Sequence, residues 1–384
     1  MNQLLNKLSG DKVIWVVAVM LSIFSVLVVY SASGSLAYKY KGGNTEFFLF
    51  KQVGFVLLSL AFIYFTHLIR YNYYSRGSQI ALFLAAPLLL FTLVKGVSAG
   101  EASRWIAIPG IGFTFQTSDF AKLALVVYVA RLLSMKQEQI KDFKEAFIPI
   151  VLPILIICGL ILPANFSTAA VLFVTCLVLM FIGRVNMKYI LLLVASGIVF
   201  LGLFILLVFT FPHINNRVET WKTRIESFVS GDSDENYQAE QAMIAIATGG
   251  PIGKGPGKST QRNFLPQASS DFIYAIIIEE YGSILGGFLV LFLYMILLFR
   301  ATRIATKSPK TFGSLLAIGL CFMLVFQAMI NMGVAVHLFP VTGQPLPMVS
   351  AGGTSVIFSS IAIGIILSVS REIESEKKGE LADA

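Results

Sequence analysis

A polar turn that ends in an acid and continues into a long apolar run decides how this chain folds. Residues 265–282 read Leu-Pro-Gln-Ala-Ser-Ser-Asp-Phe-Ile-Tyr-Ala-Ile-Ile-Ile-Glu-Glu-Tyr-Gly. Asp271 closes the polar part, and the apolar run extends from Phe272 to Phe299. A carboxylate at the mouth of a membrane helix costs free energy unless it caps the helix, pairs with a cation or takes part in chemistry. The role of Asp271 therefore needs a physical explanation.

Composition places the whole chain in a membrane. Of the 384 residues, 56% are hydrophobic and 13% are charged, and apolar runs recur along the full length. Because roughly 20 residues cross the hydrocarbon core, the sequence predicts one all-α polytopic membrane domain over residues 1–384, with about ten transmembrane helices. The predicted spans are 13–31, 47–68, 78–97, 117–134, 147–164, 167–183, 189–211, 272–299, 313–336 and 353–370.

Lys and Arg predict the orientation. They concentrate at the N-terminus, in alternate loops and on the tail at about 371–384, and the positive-inside rule makes these segments cytoplasmic. An even number of spans then puts both termini in the cytoplasm. The net charge of +8 follows from this topology, so nucleic acid is not an expected partner. The first span has no cleavage site after its apolar run and is expected to be retained.

The segment at about 212–270, between the seventh and eighth spans, is the large extracytoplasmic loop. Apolar residues at helical spacing predict a short amphipathic helix on the membrane surface; they are Val218, Trp221, Ile225 and Phe228. A second helix is predicted from Tyr237 to Thr248, ending at Gly249-Gly250. A glycine-rich basic stretch follows. It lacks the spacing of a nucleotide-binding P-loop.

Two interpretations of that basic stretch stay open. Its cations, Lys254, Lys258 and Arg262, sit on flexible backbone that could approach a phosphate-bearing lipid. Alternatively, the stretch is a flexible loop that touches anionic membrane lipids without specificity.

A second constellation precedes the fourth span. Asp119 and Lys122 are three residues apart, so on a helix they share a face and can neutralise each other. The alternative is that Lys122 and Arg104 present cations to an anionic diphosphate, Arg104 as a planar fork and Lys122 as a point charge.

A third constellation, residues 339–355, precedes the last span. Its prolines and glycines, among them Pro345, Pro347, Gly352 and Gly353, preclude a continuous helix. Hydroxyls of Ser350, Thr354 and Ser355 can satisfy exposed backbone groups, and irregular backbone at membrane depth usually lines a cavity. A plain loop that caps the last helix is the alternative.

Together these features resemble the SEDS family (shape, elongation, division and sporulation), the FtsW/RodA/SpoVE polymerases of bacterial cell-wall synthesis. The resemblance covers almost the whole chain. Its specific parts are Ser103-Arg104-Trp105 with Gln116 to Lys122, Tyr237-Gln238 followed by Gly249-Gly250 and Gly253-x-Gly255, residues 265–282, and Gly343-x-Pro-Leu-Pro-x-x-Ser-x-Gly-Gly-x-Ser355. The basic loop is more similar to the division branch, FtsW, than to the elongation branch.

The resemblance implies a peptidoglycan glycosyltransferase that polymerises lipid II at the outer face of the bacterial cytoplasmic membrane. Asp271 matches the acid that the family needs for chemistry, and it would accept the proton of the attacking sugar hydroxyl. Substrate-binding roles are expected for Arg104, Gln116, Lys122, Lys258, Ser350 and Ser355. Either these cations or a divalent ion, Mg²⁺ or Mn²⁺, would stabilise the leaving diphosphate. The alternative for Asp271 is a helix cap worth about 1 kcal/mol.

Supporting roles are expected for several other residues. Glu279 and Glu280 are interpreted as partners of polar groups in the bundle, such as Gln327 or Asn331, or as groups that shape the cavity, and Asp119 is placed with them. The chain departs from the family pattern at Gln267 (usually Glu), Ser270 (Thr), Asp119 (Glu), Ala242 (Ser) and Asn165 (Asp).

The resemblance also implies partners: a class B penicillin-binding protein, other division or elongation proteins and membrane lipids. Two alternative functions are a flippase for lipid-linked precursors and a non-enzymatic division scaffold. A transporter predicts internal repeats and charges near the bilayer midplane, whereas the sequence has no convincing repeat and its charges cluster at the outer face. A scaffold would tolerate the loss of Asp271.

Overall fold

The computed structural model describes residues 9–34, 44–98, 103–108, 113–210, 234–266 and 268–383. The predicted amphipathic helix at 218–228 and Gln267 lie outside these residues. The helices are α1 Lys12–Ala32, α2 Thr45–Leu68, α3 Tyr71–Lys95, α4 Thr117–Met135, α5 Ile148–Ile161, α6 Phe166–Ile182, α7 Met187–Thr210, α8 Asp234–Gly249, α9 Ile273–Gly282, α10 Leu289–Lys307, α11 Thr311–Ala335 and α12 Gly353–Asp383. Short π-helical turns, Phe143–Phe147 and Ser283–Phe288, lead into α5 and α10.

This architecture confirms an α-helical polytopic membrane protein, and each predicted span coincides with a helix or a helix pair joined by a π turn. Within the part of the chain that the structure describes, seven continuous helical stretches are long and apolar enough to cross a membrane, and α6 and the Met187–Val199 part of α7 are shorter apolar helices. The remaining span, α4, carries Asp119, Lys122 and Arg131. The predicted helix at 237–248 is also confirmed, as α8.

One element was not predicted. Between α3 and α4 lies a small antiparallel sheet of β1 Val97–Ser98, β2 Ser103–Ile108 and β3 Phe113–Gln116, in the order β1-β2-β3. Trp105 pairs with Gln116 and Ile108 with Phe113. The run is too short to span a membrane and is rich in aromatic and β-branched residues, which favours a hairpin. The Arg104 and Gln116 positions thus lie on paired strands.

The described residues fall into two compact units. The first comprises residues 1–74 and 237–384, and the second residues 75–236. In the first, α12 packs along α2, and α10 packs along α11, which is buried on nearly every side. In the second, α4 packs against α5 and α6. A single domain over the whole chain stays a prediction.

Polar caps fix several helix starts. Asn165 accepts a hydrogen bond from Thr168 N (3.1 Å) and caps α6; since Asn and Asp cap equally well, the departure from Asp is conservative there. At α1, Asp11 Oδ1 accepts from Val13 N (2.9 Å). The other oxygen of Asp11 accepts from Arg300 Nε (2.8 Å), so one buried carboxylate joins the start of α1 to α10.

The dual role of Asp11 predicts a graded loss of stability. Asp11→Asn keeps a capping side chain and loses the ion pair, and should lower the free energy of unfolding by roughly 1 kcal/mol. Asp11→Ala also loses the cap and should cost about 1 kcal/mol more. Thermal unfolding of the detergent-purified variants measures both. Equal losses would show that the cap contributes nothing.

Candidate active site

The turn that carries Asp271 is held by hydrogen bonds to three consecutive carbonyls. Ser269 O accepts from Ala351 N (2.8 Å), Ser270 O from Ser350 Oγ (2.6 Å), and Asp271 O from Asn331 Nδ2 (2.8 Å). The Asp271 carboxylate itself accepts from Ser270 Oγ (2.8 Å). Asp271 is partly exposed, whereas every residue from 272 to 280 is buried. The turn therefore presents one carboxylate at the end of a buried helix.

Asp271 is not the N-cap of the helix that follows. α9 begins at Ile273, and its N-cap position is Phe272, where no side chain makes a capping hydrogen bond. The helix thus begins two residues after Asp271, and Asp271 does not occupy its N-cap position.

The segment before α12 is irregular backbone, as predicted, and its residues 346–350 are buried. Its carbonyls accept hydrogen bonds from three helices: Pro345 O from Gln327 Nε2 (2.9 Å), Val349 O from Ser25 Oγ (2.8 Å), and Pro347 O from the Tyr294 hydroxyl. Backbone without regular structure is tolerated at membrane depth when its polar groups are satisfied inside the protein.

The predicted residues of this segment divide by what they touch. Ser350 is 1% exposed, and its hydroxyl both donates to Ser270 O and accepts from Leu346 N (2.7 Å). The Ser350 hydroxyl therefore holds backbone, and its expected substrate-binding role stays a prediction. Gly352 and Gly353 are partly exposed where α12 begins. Ser355 is buried, and its substrate role stays a prediction.

Backbone hydrogen bonds hold the glycine-rich stretch against the end of α9, whereas the sequence predicted a flexible loop. Gly282 has a φ of 80° and ends α9, which leaves the carbonyls of Glu279 and Glu280 to accept from Lys254 N and Gly255 N, both at 2.9 Å. In return, Ser283 N donates to Gly250 O (2.8 Å). A Cβ at Gly253 would overlap the backbone at Glu280 and Gly282. Glycine is required there because two backbones pack directly together.

Glu279 and Glu280 hold this stretch, which corrects their expected partners. Glu279 is fully buried and accepts from Lys254 Nζ (2.6 Å), Thr260 N (3.1 Å) and the Ser259 hydroxyl. Glu280 accepts from Ser259 N (3.3 Å) and the Ser31 hydroxyl. Gln327 and Asn331 bind carbonyls of the segment before α12 instead. The two acids are structural, but they anchor the loop and not α11.

The three loop cations differ in their partners and in their exposure. Lys254 pairs with Glu279, and Arg262 Nη1 donates to Ser31 O and Ser31 Oγ, both at 3.1 Å. Lys258 is exposed on the pinned backbone. Of the three, Lys258 is the most exposed, whereas Lys254 and Arg262 are partly buried.

In the second unit, the Asp119–Lys122 pair forms as its spacing predicted. Lys122 Nζ lies 2.8 Å from Asp119 Oδ1, and both side chains are less than a tenth exposed. Gln116 Nε2 donates to Ser118 Oγ (3.0 Å) beside the start of α4. The side chain of Arg104, on β2, lies outside the described residues. Diphosphate binding by Arg104, Gln116 and Lys122 stays a prediction.

One contributor to the Asp271 site was missed by sequence reasoning. Asn331, which donates to Asp271 O, was considered only as a partner of the buried acids. A primary amide inside an otherwise apolar helix is a usable signal, because a buried amide must find hydrogen-bond partners. Nothing local in the sequence indicates which partners those are.

The site and fold define a class: a polytopic membrane protein with a carboxylate at a helix mouth, on irregular backbone whose carbonyls accept hydrogen bonds from neighbouring elements. Residues 11–375 match the model of the FtsW/RodA/SpoVE family of cell cycle proteins. The chain belongs to this family.

Individual relatives are similar over nearly their whole length. Stage V sporulation protein E of Bacillus subtilis (strain 168) is 34% identical over 372 residues, which cover 95% of this chain and 98% of the relative. A probable peptidoglycan glycosyltransferase FtsW of Trichlorobacter lovleyi is 34% identical over 367 residues, covering 94% and 93%.

Solved structures share the fold. The rod shape determining protein RodA of Thermus thermophilus aligns with a TM-score of 0.67 at 22% identity, covering 96% of this chain and 98% of that one. A chain of a peptidoglycan synthase complex that coordinates polymerization and crosslinking aligns with a TM-score of 0.71 at 23% identity, covering 95% and 99%.

Direct backbone packing at Gly253 predicts a large effect of adding one methyl group. Gly253 and Gly257 both have positive φ, but a Cβ at Gly257 would meet nothing within 4 Å. Gly257→Ala should cost about 1 kcal/mol for its backbone conformation. Gly253→Ala should cost about 1–3 kcal/mol more, because the loop must move. Thermal unfolding compares the two; equal losses would contradict the close packing.

The Lys254–Glu279 pair predicts energetic coupling. Lys254→Met and Glu279→Gln each remove one partner and should destabilise the protein. The double variant should lose less than the sum of the single losses, by about 1–3 kcal/mol. Denaturation of all four proteins under one condition gives the coupling. Additive losses would mean that the pair does not hold the loop.

Proposed function

We propose that this protein is a peptidoglycan glycosyltransferase that polymerises lipid II into glycan strands at the outer face of the bacterial cytoplasmic membrane, in cell division or shape. The observation that carries the proposal is the partly exposed carboxylate of Asp271, held by hydrogen bonds at the mouth of α9. Its support is a family relation over nearly the whole chain, with relatives named as probable peptidoglycan glycosyltransferases.

Asp271 acts as general base in this proposal. The 4-hydroxyl oxygen of an acceptor sugar attacks the anomeric carbon of the donor, and its proton passes to the Asp271 carboxylate. The bond from that carbon to the diphosphate oxygen breaks, and undecaprenyl diphosphate leaves with the electron pair. A positioned base of this kind contributes about 10²- to 10⁴-fold to the rate. The hydrogen bond from Ser270 Oγ orients the carboxylate.

The developing negative charge on the diphosphate needs cations. Lys258 is our first candidate because it is exposed on backbone that Glu279 and Glu280 hold in place. Diphosphate binding by Arg104 and Lys122 stays a prediction from the family resemblance, and Lys122 would have to share its charge with Asp119. Within the described residues, no three His, Cys, Asp or Glu side chains group as metal ligands. Stabilisation of the diphosphate by Mg²⁺ or Mn²⁺ stays the alternative prediction.

Orientation and partners complete the proposal. We propose that both termini are cytoplasmic, as the basic loops favour by the positive-inside rule. In that orientation Asp271 lies on the opposite side, where glycan strands are needed. A chain of this fold occurs in a complex that coordinates polymerization and crosslinking. We propose that this protein likewise works with a class B penicillin-binding protein that crosslinks the strands, beside other division or elongation proteins.

Loss of the Asp271 carboxylate should stop polymerisation without unfolding the protein. Purified protein with its cognate transpeptidase is given lipid II in detergent, where no transport is required, and strand length and rate are followed at equal folded amounts. Asp271→Asn and Asp271→Ala should lower the rate by at least about 10²-fold.

The matched control is Asp142→Asn. Asp142 is an exposed capping carboxylate that accepts from Lys144 N (2.8 Å) and Glu145 N (2.9 Å). This variant should polymerise at the wild-type rate. If the Asp271 variants also polymerise normally, Asp271 is not the base; if wild-type protein makes no strands, the enzyme interpretation itself fails.

A further inference from the structure

A buried amide lies inside α11, a helix of the first unit that is buried over most of its surface. Asn331, on α11, is 1% exposed among apolar neighbours. Burying an amide without hydrogen bonds costs several kcal/mol, of the order of 2–7. Asn331 Nδ2 donates to Asp271 O and to Gln344 O, both at 2.8 Å. Both partners are carbonyl oxygens, so the atom that faces them must be the nitrogen.

A hydroxyl from a different element contacts the neighbouring residue. Ser350 Oγ donates to Ser270 O (2.6 Å) and is itself fixed by Leu346 N (2.7 Å). One residue further, Ala351 N donates to Ser269 O (2.8 Å). Three successive carbonyls of the turn are therefore bound from outside it.

We propose that Asn331 and Ser350 are positioning residues that set the place of the Asp271 carboxylate through the backbone of residues 269–271. This inference rests on the proposed function. Only two side-chain torsions separate the Asp271 backbone from its carboxylate, so a displaced turn displaces the base. A shift of about 1 Å in a catalytic group can lower a rate about 10²-fold.

The chain supplies a matched control on the same helix. Gln327 is one turn before Asn331, is also buried, and donates to Pro345 O (2.9 Å) of the same irregular segment. Replacing either amide by an apolar side chain of similar size removes one buried donor. The Asn331 change removes the bond to Asp271 O, whereas the Gln327 change removes the bond to Pro345 O.

The test is steady-state lipid II polymerisation with the cognate transpeptidase, at equal folded protein. Asn331→Leu and Ser350→Ala should lower kcat by about 10- to 100-fold and leave KM within about threefold of wild type. Gln327→Met should lower thermal stability about as much as Asn331→Leu does, but should keep kcat within about threefold of wild type. Ser350→Thr retains the hydroxyl and should recover most of the rate that Ser350→Ala loses.

Each outcome decides the matter. Equal kcat losses for Asn331→Leu and Gln327→Met, or a loss confined to KM, would overturn the inference and leave a structural role. If Asn331→Leu does not fold, the Ser350→Ala and Ser350→Thr pair decides. Failure of this inference can be distinguished from failure of the proposed function. If Asp271→Asn is active, Asp271 is not the general base. If Asp271→Asn is inactive but Asn331→Leu is fully active, Asp271 remains the base and only the positioning role of Asn331 is overturned.

Discussion

The rest of this structure depends on one constraint: backbone that is not helical must still form hydrogen bonds inside a membrane bundle. Carbonyl groups beyond the end of a helix have no water to bind there, so the protein must supply the donors. It does so at both ends of α9. The turn at 269–271 is bound by Asn331, Ser350 and Ala351, and the break after Gly282 is bound by the glycine-rich stretch.

The two non-helical segments, the turn at 269–271 and the break after Gly282, have different consequences. At Gly282, the backbones approach so closely that side chains are excluded, and the buried acids Glu279 and Glu280 close the junction through Lys254, Ser259 and Ser31. The result is a fixed loop with Lys258 exposed on it. At Asp271, donors reach carbonyls and leave one carboxylate partly exposed. Rigid backbone on both sides thus supports a site built from very few polar groups.

Sequence reasoning predicted features that depend on local spacing or on hydropathy. The ten spans follow from apolar runs, and the Asp119–Lys122 pair follows from a three-residue spacing on one helix. The partners of Glu279 could not be derived this way, because they lie about 18 to 25 residues before it across a loop. Asn331 meets Asp271 over a separation of 60 residues. Helical periodicity predicts the helix face on which such a residue lies, but it does not predict which distant segment of the chain packs against that face.

The small sheet shows the same limit at short range. Hydropathy places residues 97–116 outside the membrane but does not distinguish a hairpin from a loop. The prolines and glycines at 343–353 predicted irregular backbone correctly. The hydrogen-bond partners of the Ser350 hydroxyl, Ser270 O and Leu346 N, could not be predicted in this way. Residue type indicated that a hydroxyl would satisfy backbone; only the fold showed which backbone.

A rate measurement on combined variants tests the central claim, that the bonds around the turn act through the Asp271 carboxylate. Polymerisation of radiolabelled lipid II would be followed for wild type, Asn331→Leu, Asp271→Ala and the double variant, at equal folded amounts. The account predicts that Asn331→Leu slows the wild-type enzyme but does not slow the residual turnover of Asp271→Ala any further. Multiplied losses in the double variant would contradict it, because Asn331 would then act independently of the carboxylate.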